Sequence, residues 1–165
     1  RPKSLAVCAA ALLTVFSIRT FARGLDWQDN FVLCQHDVQL LPDSYDLHNN
    51  LGVELFRHGQ IEKAKEEFQR STELAPSWDV NWSNLGATYM RLGDSRKAEE
   101  YYLKSMQNGS YFMAYENYAG LLVAEGRFQE AMRFIETQGL PRFPASAWLN
   151  NLYSQLKKHE KEFRQ

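Results

Sequence analysis

Three stretches of this chain realign on one another at a nearly fixed offset, and a period of about 20 to 50 residues commits a chain to stacked copies of one small unit. They are residues 50–76 (NLGVELFRHGQIEKAKEEFQRSTELAP), 84–110 (NLGATYMRLGDSRKAEEYYLKSMQNGS) and 117–143 (NYAGLLVAEGRFQEAMRFIETQGLPRF), offset by 34 and then 33 residues. Each holds two helix-length segments separated by a glycine. Gly59, Gly93 and Gly126 are predicted to supply the positive φ, or the close approach, of a tight connection between helices. Helical spacing predicts that Leu51 and Leu55 face Phe68 and Leu74 in the first unit, and that Leu85 and Tyr89 face Tyr102 and Met106 in the second. Pro76 closes the first unit. The second carries Ser110 there and is one residue short, so the join from Asn108 to Phe112 is predicted to be irregular.

Small residues recur on the first helix (Gly52, Gly86, Ala119) and alanines on the second (Ala64, Ala98, Ala131). With the turn glycines, this pattern over residues 45–145 resembles the tetratricopeptide repeat, in which a small residue on helix A meets an alanine on helix B. The resemblance implies an all-α, helix-turn-helix solenoid with right-handed superhelical stacking. Its units are expected at residues 45–78, 79–111 and 112–145. A half-repeat helix is expected within 24–44, with Asp26 as N-cap and Pro42 after Leu41. Residues 146–165 are expected to form a capping helix, because Tyr153 takes the small-residue position, no turn glycine follows, and residues 157–165 are polar.

Residues 1–23 are different material. Residues 4–18 (SLAVCAAALLTVFSI) hold no charge. As a helix they would span roughly 22 Å, against a hydrocarbon core of about 30 Å. Three readings fit: the end of a membrane-spanning helix extended over residues 4–22, a signal sequence, or a packed apolar helix. The first is favoured, because no small-x-small cleavage site precedes Arg19 and the segment has no polar stripe. Arg1 and Lys3 before it and Arg19 and Arg23 after it leave orientation open. Left uncovered, such a helix would also pair with a second copy, giving a homodimer. The chain begins at Arg1 rather than methionine, which predicts a fragment or a processed product.

Asparagine stands at the same helix A position in four units: Asn50, Asn84, Asn117 and Asn151. It is a poor helix former, so its recurrence at repeat spacing needs a cause. Amides can hydrogen-bond successive peptide units of an extended chain, or they can bond a neighbouring helix and fix the stacking. The first option is similar to the asparagine ladder in the tetratricopeptide superhelix of O-GlcNAc transferase. Arg57 and Arg91 occupy equivalent rim positions and could pair with an acidic segment or simply be solvated. Val53, Phe56, Ala87, Met90, Gly120 and Val123 complete a largely apolar helix A face, which fits a protein or peptide partner with some apolar side chains. No lysine accompanies the asparagines, which disfavours capture of a chaperone's acidic C-terminus.

Other chemistries find little support. Nineteen basic against twenty acidic residues give a net charge of −1, without the basic field that nucleic-acid binding needs. Cys8 and Cys34 form no CxxC pair, and His36, His48, His58 and His159 lack metal-ligand spacing, so no cofactor or metal is expected. The histidines read as surface or cap residues. Glu66, Glu67, Glu99 and Glu100 read as a solvated helix B face, and no catalytic motif is present. The aromatics Tyr101, Tyr102, Tyr111, Phe112, Tyr115 and Tyr118 read as core and interface filling. Asn81-Trp82-Ser83 and Asn108-Gly109-Ser110 match the N-glycosylation acceptor pattern.

Arg19, Thr20, Arg23, Asp26, Trp27, Leu33, Pro42, His48, Asn50 and Leu51 mark a second resemblance. This junction is similar to that of transmembrane and tetratricopeptide-repeat-containing proteins, polytopic membrane glycosyltransferases whose last span leads into C-terminal repeats. Gly24 and the Asp29-Asn30 pair depart from the family's pattern. The resemblance implies a non-catalytic part of such an enzyme, holding the acceptor polypeptide on the lumenal, periplasmic or otherwise extracytoplasmic side of a membrane. The broader expectation is a membrane-anchored, non-enzymatic scaffold that binds an extended peptide.

Overall fold

The computed structural model describes residues 12–20 and 30–163, and all regular structure among them is helical. Residues 12–20 form α1. It is followed by α2 (Asn30–Leu40), α3 (Tyr45–Arg57), α4 (Ile61–Leu74), α5 (Asp79–Arg91), α6 (Ser95–Asn108), α7 (Phe112–Ala124) and α8 (Phe128–Phe134). A π-helical turn (Ile135–Gly139) joins α8 to the short α9 (Leu140–Arg142), and α10 (Ala147–Phe163) ends the described chain.

The α3/α4, α5/α6 and α7/α8 pairs are the three repeat units, and α4 against α5 and α6 against α7 carry the stack forward. Gly59, Gly93 and Gly126 have φ of 73°, 80° and 74°. Only glycine adopts that backbone without strain, which is why one residue type punctuates every helix pair. The small helix A residues are needed for approach. A Cβ added to Gly52 would come within 2.7 Å of the Phe68 ring, and one on Gly86 within 2.7 Å of the Tyr102 ring and 3.2 Å of the Ala98 carbonyl oxygen. Ala64, Ala98, Ala119 and Ala131 are fully buried beside them. Leu51, Leu55, Phe68, Leu85, Tyr89 and Tyr102 form the predicted core, continued by Tyr115, Tyr118 and Leu122. Met106 packs at its edge, whereas Leu74 is only half-buried.

Serine supplies a tie within each of the first two units. Ser71 and Ser105 are fully buried, and their hydroxyls donate to the carbonyls of Tyr45 (2.5 Å) and Asp79 (2.7 Å). Each bond pins the end of helix B to the start of its own helix A and satisfies a polar group that burial would otherwise penalise. The third unit has no such serine; Arg142 donates to the Tyr115 hydroxyl at 2.8 Å there, and its second helix passes through the π-turn. Pro141 has no N–H to give, and in a regular α-helix its ring would strike the carbonyl of Thr137. One wider turn before it relieves that clash. Gly139, at the end of the turn, lies close to Leu149 of α10, 3.2 Å from where its Cβ would stand.

Several expectations change. His48 is not a surface residue but 7% exposed, with Nδ1 2.6 Å from Glu67 and Nε2 2.8 Å from the Pro42 carbonyl. Glu67 is therefore a partner of the core rather than part of a solvated face. Asp26 lies outside the described residues; the helix expected there is described from Asn30, and it lies against α3 through Phe31, Cys34 and Val38. Most of residues 4–22 also lie outside them. Residues 12–20 are helical, with Leu12, Leu13, Val15, Phe16 and Ile18 exposed. Among the described residues no helix is long and apolar enough to cross a membrane.

Candidate functional site

Stacking three helix A segments side by side leaves a groove of about 530 Å³. Its α3 wall carries Val53, Phe56 and Arg57; its α5 wall carries Asn84, Ala87, Met90 and Arg91; its α7 wall carries Met113, Glu116, Asn117 and Gly120. Phe68, Tyr102 and Leu121 form part of its lining, and Trp148 of α10 closes one end. Trp148 is 44% exposed. Its ring lies against α7 beside Gly120, where a Cβ would stand at an ordinary van der Waals separation, 3.5 Å from the indole edge. Ser146 seats the start of α10, its hydroxyl donating to Glu116 (2.7 Å) and accepting the Leu149 backbone N–H (3.1 Å).

The four asparagines do not share one environment. Asn84 and Asn117 line the groove, while Asn50 and Asn151 are exposed and lie outside its lining. Asn84 donates Nδ2 to Oδ1 of Asn49, 2.7 Å away on the preceding unit, and Asn49 is buried. That bond belongs to stacking. Asn151 accepts a 3.3 Å bond from Gln155 on its own helix. Asn117 makes no side-chain hydrogen bond among the described residues and keeps its amide for the groove. Arg91 lies over the Phe56 ring at 5.9 Å and Arg57 bonds Glu54 at 3.2 Å; both remain exposed at the rim.

Met113, Glu116 and Trp148 were not legible as groove residues, because no residue type recurs at their repeat positions. Val123, expected in the groove, instead lines a separate apolar crevice of about 560 Å³ with Phe128, Leu152 and Leu156. No group of three His, Cys, Asp or Glu side chains that could hold a metal ion occurs among the described residues.

An ionic clasp joins the second and third units. Arg127, in the α7–α8 turn, grips Glu99 of α6 with both terminal nitrogens (2.8 and 3.0 Å) and also reaches Glu125 (2.9 Å) and Glu130 (2.7 Å). Tyr118 donates its hydroxyl to Glu99 at 3.0 Å. Glu99 is therefore no bystander on a solvated face. Its hydrogen bonds to Arg127 hold its carboxyl below the usual range, overcoming burial and helped by Tyr118. Burial, with the Glu99 bond and charge, pushes the Tyr118 phenol up to about 12.

A carboxyl whose folded pKa is depressed contributes stability above its unfolded value, near 4.5, and loses it as pH falls through the folded value. Glu99→Gln should thus lower stability at neutral pH, and its deficit against the native chain should shrink as denaturation curves are taken below pH 4.5. A raised phenol works in reverse: its contribution is intact below pH 10 and is lost as pH rises through about 12, and Tyr118→Phe should remove that part of the alkaline decline, leaving the part owed to the buried Tyr102 phenol, which is also raised. A constant Glu99→Gln deficit across the acid range would mean that the clasp does not depend on carboxylate charge.

Comparisons with known proteins agree with this architecture. Two models described as tetratricopeptide repeat match residues 45–78 and 81–107. Protein O-mannosyl-transferase TMTC3 of Homo sapiens is 28% identical over 97 residues, 59% of this chain and 11% of that protein. The Drosophila melanogaster protein O-mannosyl-transferase Tmtc3 is 28% identical over 96 residues, 58% and 10%. The chain thus spans about a tenth of the length of these relatives. Among solved structures, the APC/C hetero-tetramer Cut9–Hcn1 superposes with a TM-score of 0.68 at 19% identity, over 74% of this chain and 25% of that one. The first TPR of Spaghetti (RPAP3), bound to the HSP90 peptide SRMEEVD, gives 0.65 at 19%, over 71% and 95%. At such identities the likeness is one of fold.

Proposed function

Because the chain carries tetratricopeptide repeats over residues 45–78 and 81–107, we propose that it is a non-enzymatic interaction scaffold whose groove holds an extended peptide or protein segment. The observation that carries this reading is the groove itself: apolar walls from Val53, Phe56, Ala87, Met90 and Met113, with the uncommitted Asn117 amide aimed among them. Apolar walls with a few convergent polar groups are the composition of a ligand site. Asn117 is the rung that would bond a passing backbone. Asn84, with one N–H committed to Asn49, can contribute its second N–H and its carbonyl oxygen. Asn50 and Asn151 would engage only a segment long enough to run past the groove at both ends. Arg57 and Arg91 at the rim favour a segment with an acidic residue near one end.

Asn84 and Asn117 are expected to behave differently. Asn84→Ala leaves the buried Asn49 oxygen without its donor and should cost about 1–2 kcal/mol of stability. Asn117→Ala should leave stability within about 0.5 kcal/mol and still weaken capture of an extended peptide chosen from a random-sequence display library on the immobilised chain. Unchanged capture with Asn117→Ala would count against the backbone-gripping role.

A second reading is favoured by the similarity to protein O-mannosyl-transferases. On it, the repeats are the accessory part of a membrane O-glycosyltransferase and the groove holds the acceptor polypeptide. Anchoring through residues 4–22, with the repeats on the lumenal or extracytoplasmic side, belongs to this reading. The exposed apolar side chains of residues 12–20 support either a membrane contact or pairing with a second copy. Sedimentation with and without residues 1–23 separates the two: a dimer that becomes a monomer on their removal favours pairing, and vesicle binding lost on their removal favours the membrane.

A further inference from the structure

Two acceptor triplets for N-linked glycans occur in the chain, and the fold treats them oppositely. Asn81-Trp82-Ser83 lies inside α5. Asn81 is 0% exposed, its Nδ2 donates to the Ser71 carbonyl at 3.1 Å, and Ser83 is buried beside it. A sugar on Asn81 has no room in the folded chain. Asn108 is the exposed last residue of α6, and helix does not resume until Phe112. Gly109 is extended (φ −175°, ψ −156°), and Ser110 is exposed. A Cβ on Gly109 would stand 2.0 Å from Oδ2 of Asp79, so this extended link is fitted against the start of α5 and presents the residues on either side outward. The Asn108 amide donates to the Lys104 carbonyl at 2.9 Å, in an exposed setting where water can replace that bond. None of the triplet lines the groove.

We infer that Asn108 is an N-glycan acceptor and that Asn81, despite the same pattern, is not. Acceptor triplets are used where they stand in surface loops of chains that enter the secretory pathway. The inference therefore rests on the lumenal reading of the repeats. In the reaction Asn108 Nδ2 forms a bond to the anomeric carbon of an oligosaccharide carried on a polyprenyl diphosphate. The bond from that carbon to the diphosphate oxygen breaks, the carrier leaves with the electron pair, and an oligosaccharyltransferase of the host accepts the amide proton. The glycan would project from the helix B side, between the second and third units, and leave the groove open.

The test secretes the full chain behind a cleavable signal sequence from mammalian cells, with a strong acceptor triplet appended at the carboxyl terminus to report arrival in the lumen. Folded monomer is treated with peptide N-glycosidase in heavy-oxygen water, which labels formerly glycosylated asparagines and separates them from spontaneous deamidation of the Asn-Gly pair. The expected result is label at the appended site and at Asn108, none at Asn81, and loss of the Asn108 label alone in both Asn108→Gln and Ser110→Ala. Label at the appended site without label at Asn108, or label at Asn81 in folded monomer, overturns the inference. A parallel expression of the full-length natural protein, without the added signal, addresses the lumenal reading separately: an unmodified appended site there contradicts that reading, while the secreted sample still decides whether Asn108 is an acceptor.

Discussion

Gly86→Val is expected to lower the unfolding free energy by about 3 kcal/mol, read as a shifted midpoint in urea with little change in slope. Val replaces a residue whose missing Cβ leaves room for the Tyr102 ring; a Cβ there would stand 2.7 Å from two of its carbons. Tyr102 is buried and cannot swing into solvent. The second neighbour, the Ala98 carbonyl oxygen at 3.2 Å, is backbone and retreats only if α6 moves as a whole. Valine's better helix propensity returns only a few tenths of a kcal/mol. Because the clash is pairwise, Tyr102→Leu in the Gly86→Val background should recover part of the loss, giving a coupling of about 1 kcal/mol or more. A loss below about 1 kcal/mol with no coupling would mean that Gly86 does not set the spacing of α5 and α6.

The largest expected effect on binding comes from filling the groove rather than from removing a contact. Ala87 is half-buried on the α5 wall between Asn84 and Met90. Ala87→Trp should place a large ring in the groove and weaken capture of a display-selected peptide at least about ten-fold, equivalent to about 1.4 kcal/mol. The melting temperature should hardly move, since the added ring enters open space. Equal loss of binding and of stability would instead indicate that the wall had been deformed.

How much of this was legible depends on whether a residue answers to its own helix or to another part of the chain. Gly59, Gly93 and Gly126 respond to local backbone geometry that recurs in every unit, so repetition revealed them and their φ values agree. Leu51, Leu55, Leu85 and Tyr89 respond to helical periodicity, and they are buried. His48 answers to Glu67 and to Pro42 across the helix pair, and in one sequence a buried histidine looks the same as an exposed one. Ser71 and Ser105 did leave a signal, standing 34 residues apart at matching helix B positions, but a serine reads as surface until its acceptor is known. Asn84 and Asn117 share a repeat position and still differ, because Asn84 reaches back to Asn49 of the preceding unit, whereas the equivalent position before Asn117 is Ser83, which makes no side-chain hydrogen bond to it. Trp148 belongs to a terminal unit that escapes the repeat, so periodicity had nothing to say about it.

The central claim is that the helix A groove is where a partner's extended segment lies. The most direct measurement is amide and indole chemical-shift mapping on the isotope-labelled chain as a display-selected peptide is added. The account predicts shifts clustered on Ala87, Met90, Asn117, Gly120 and the Trp148 indole, all of which line that groove. Shifts centred instead on the crevice of Val123, Phe128, Leu152 and Leu156, or along α4 and α6, with the groove residues unmoved, would contradict it.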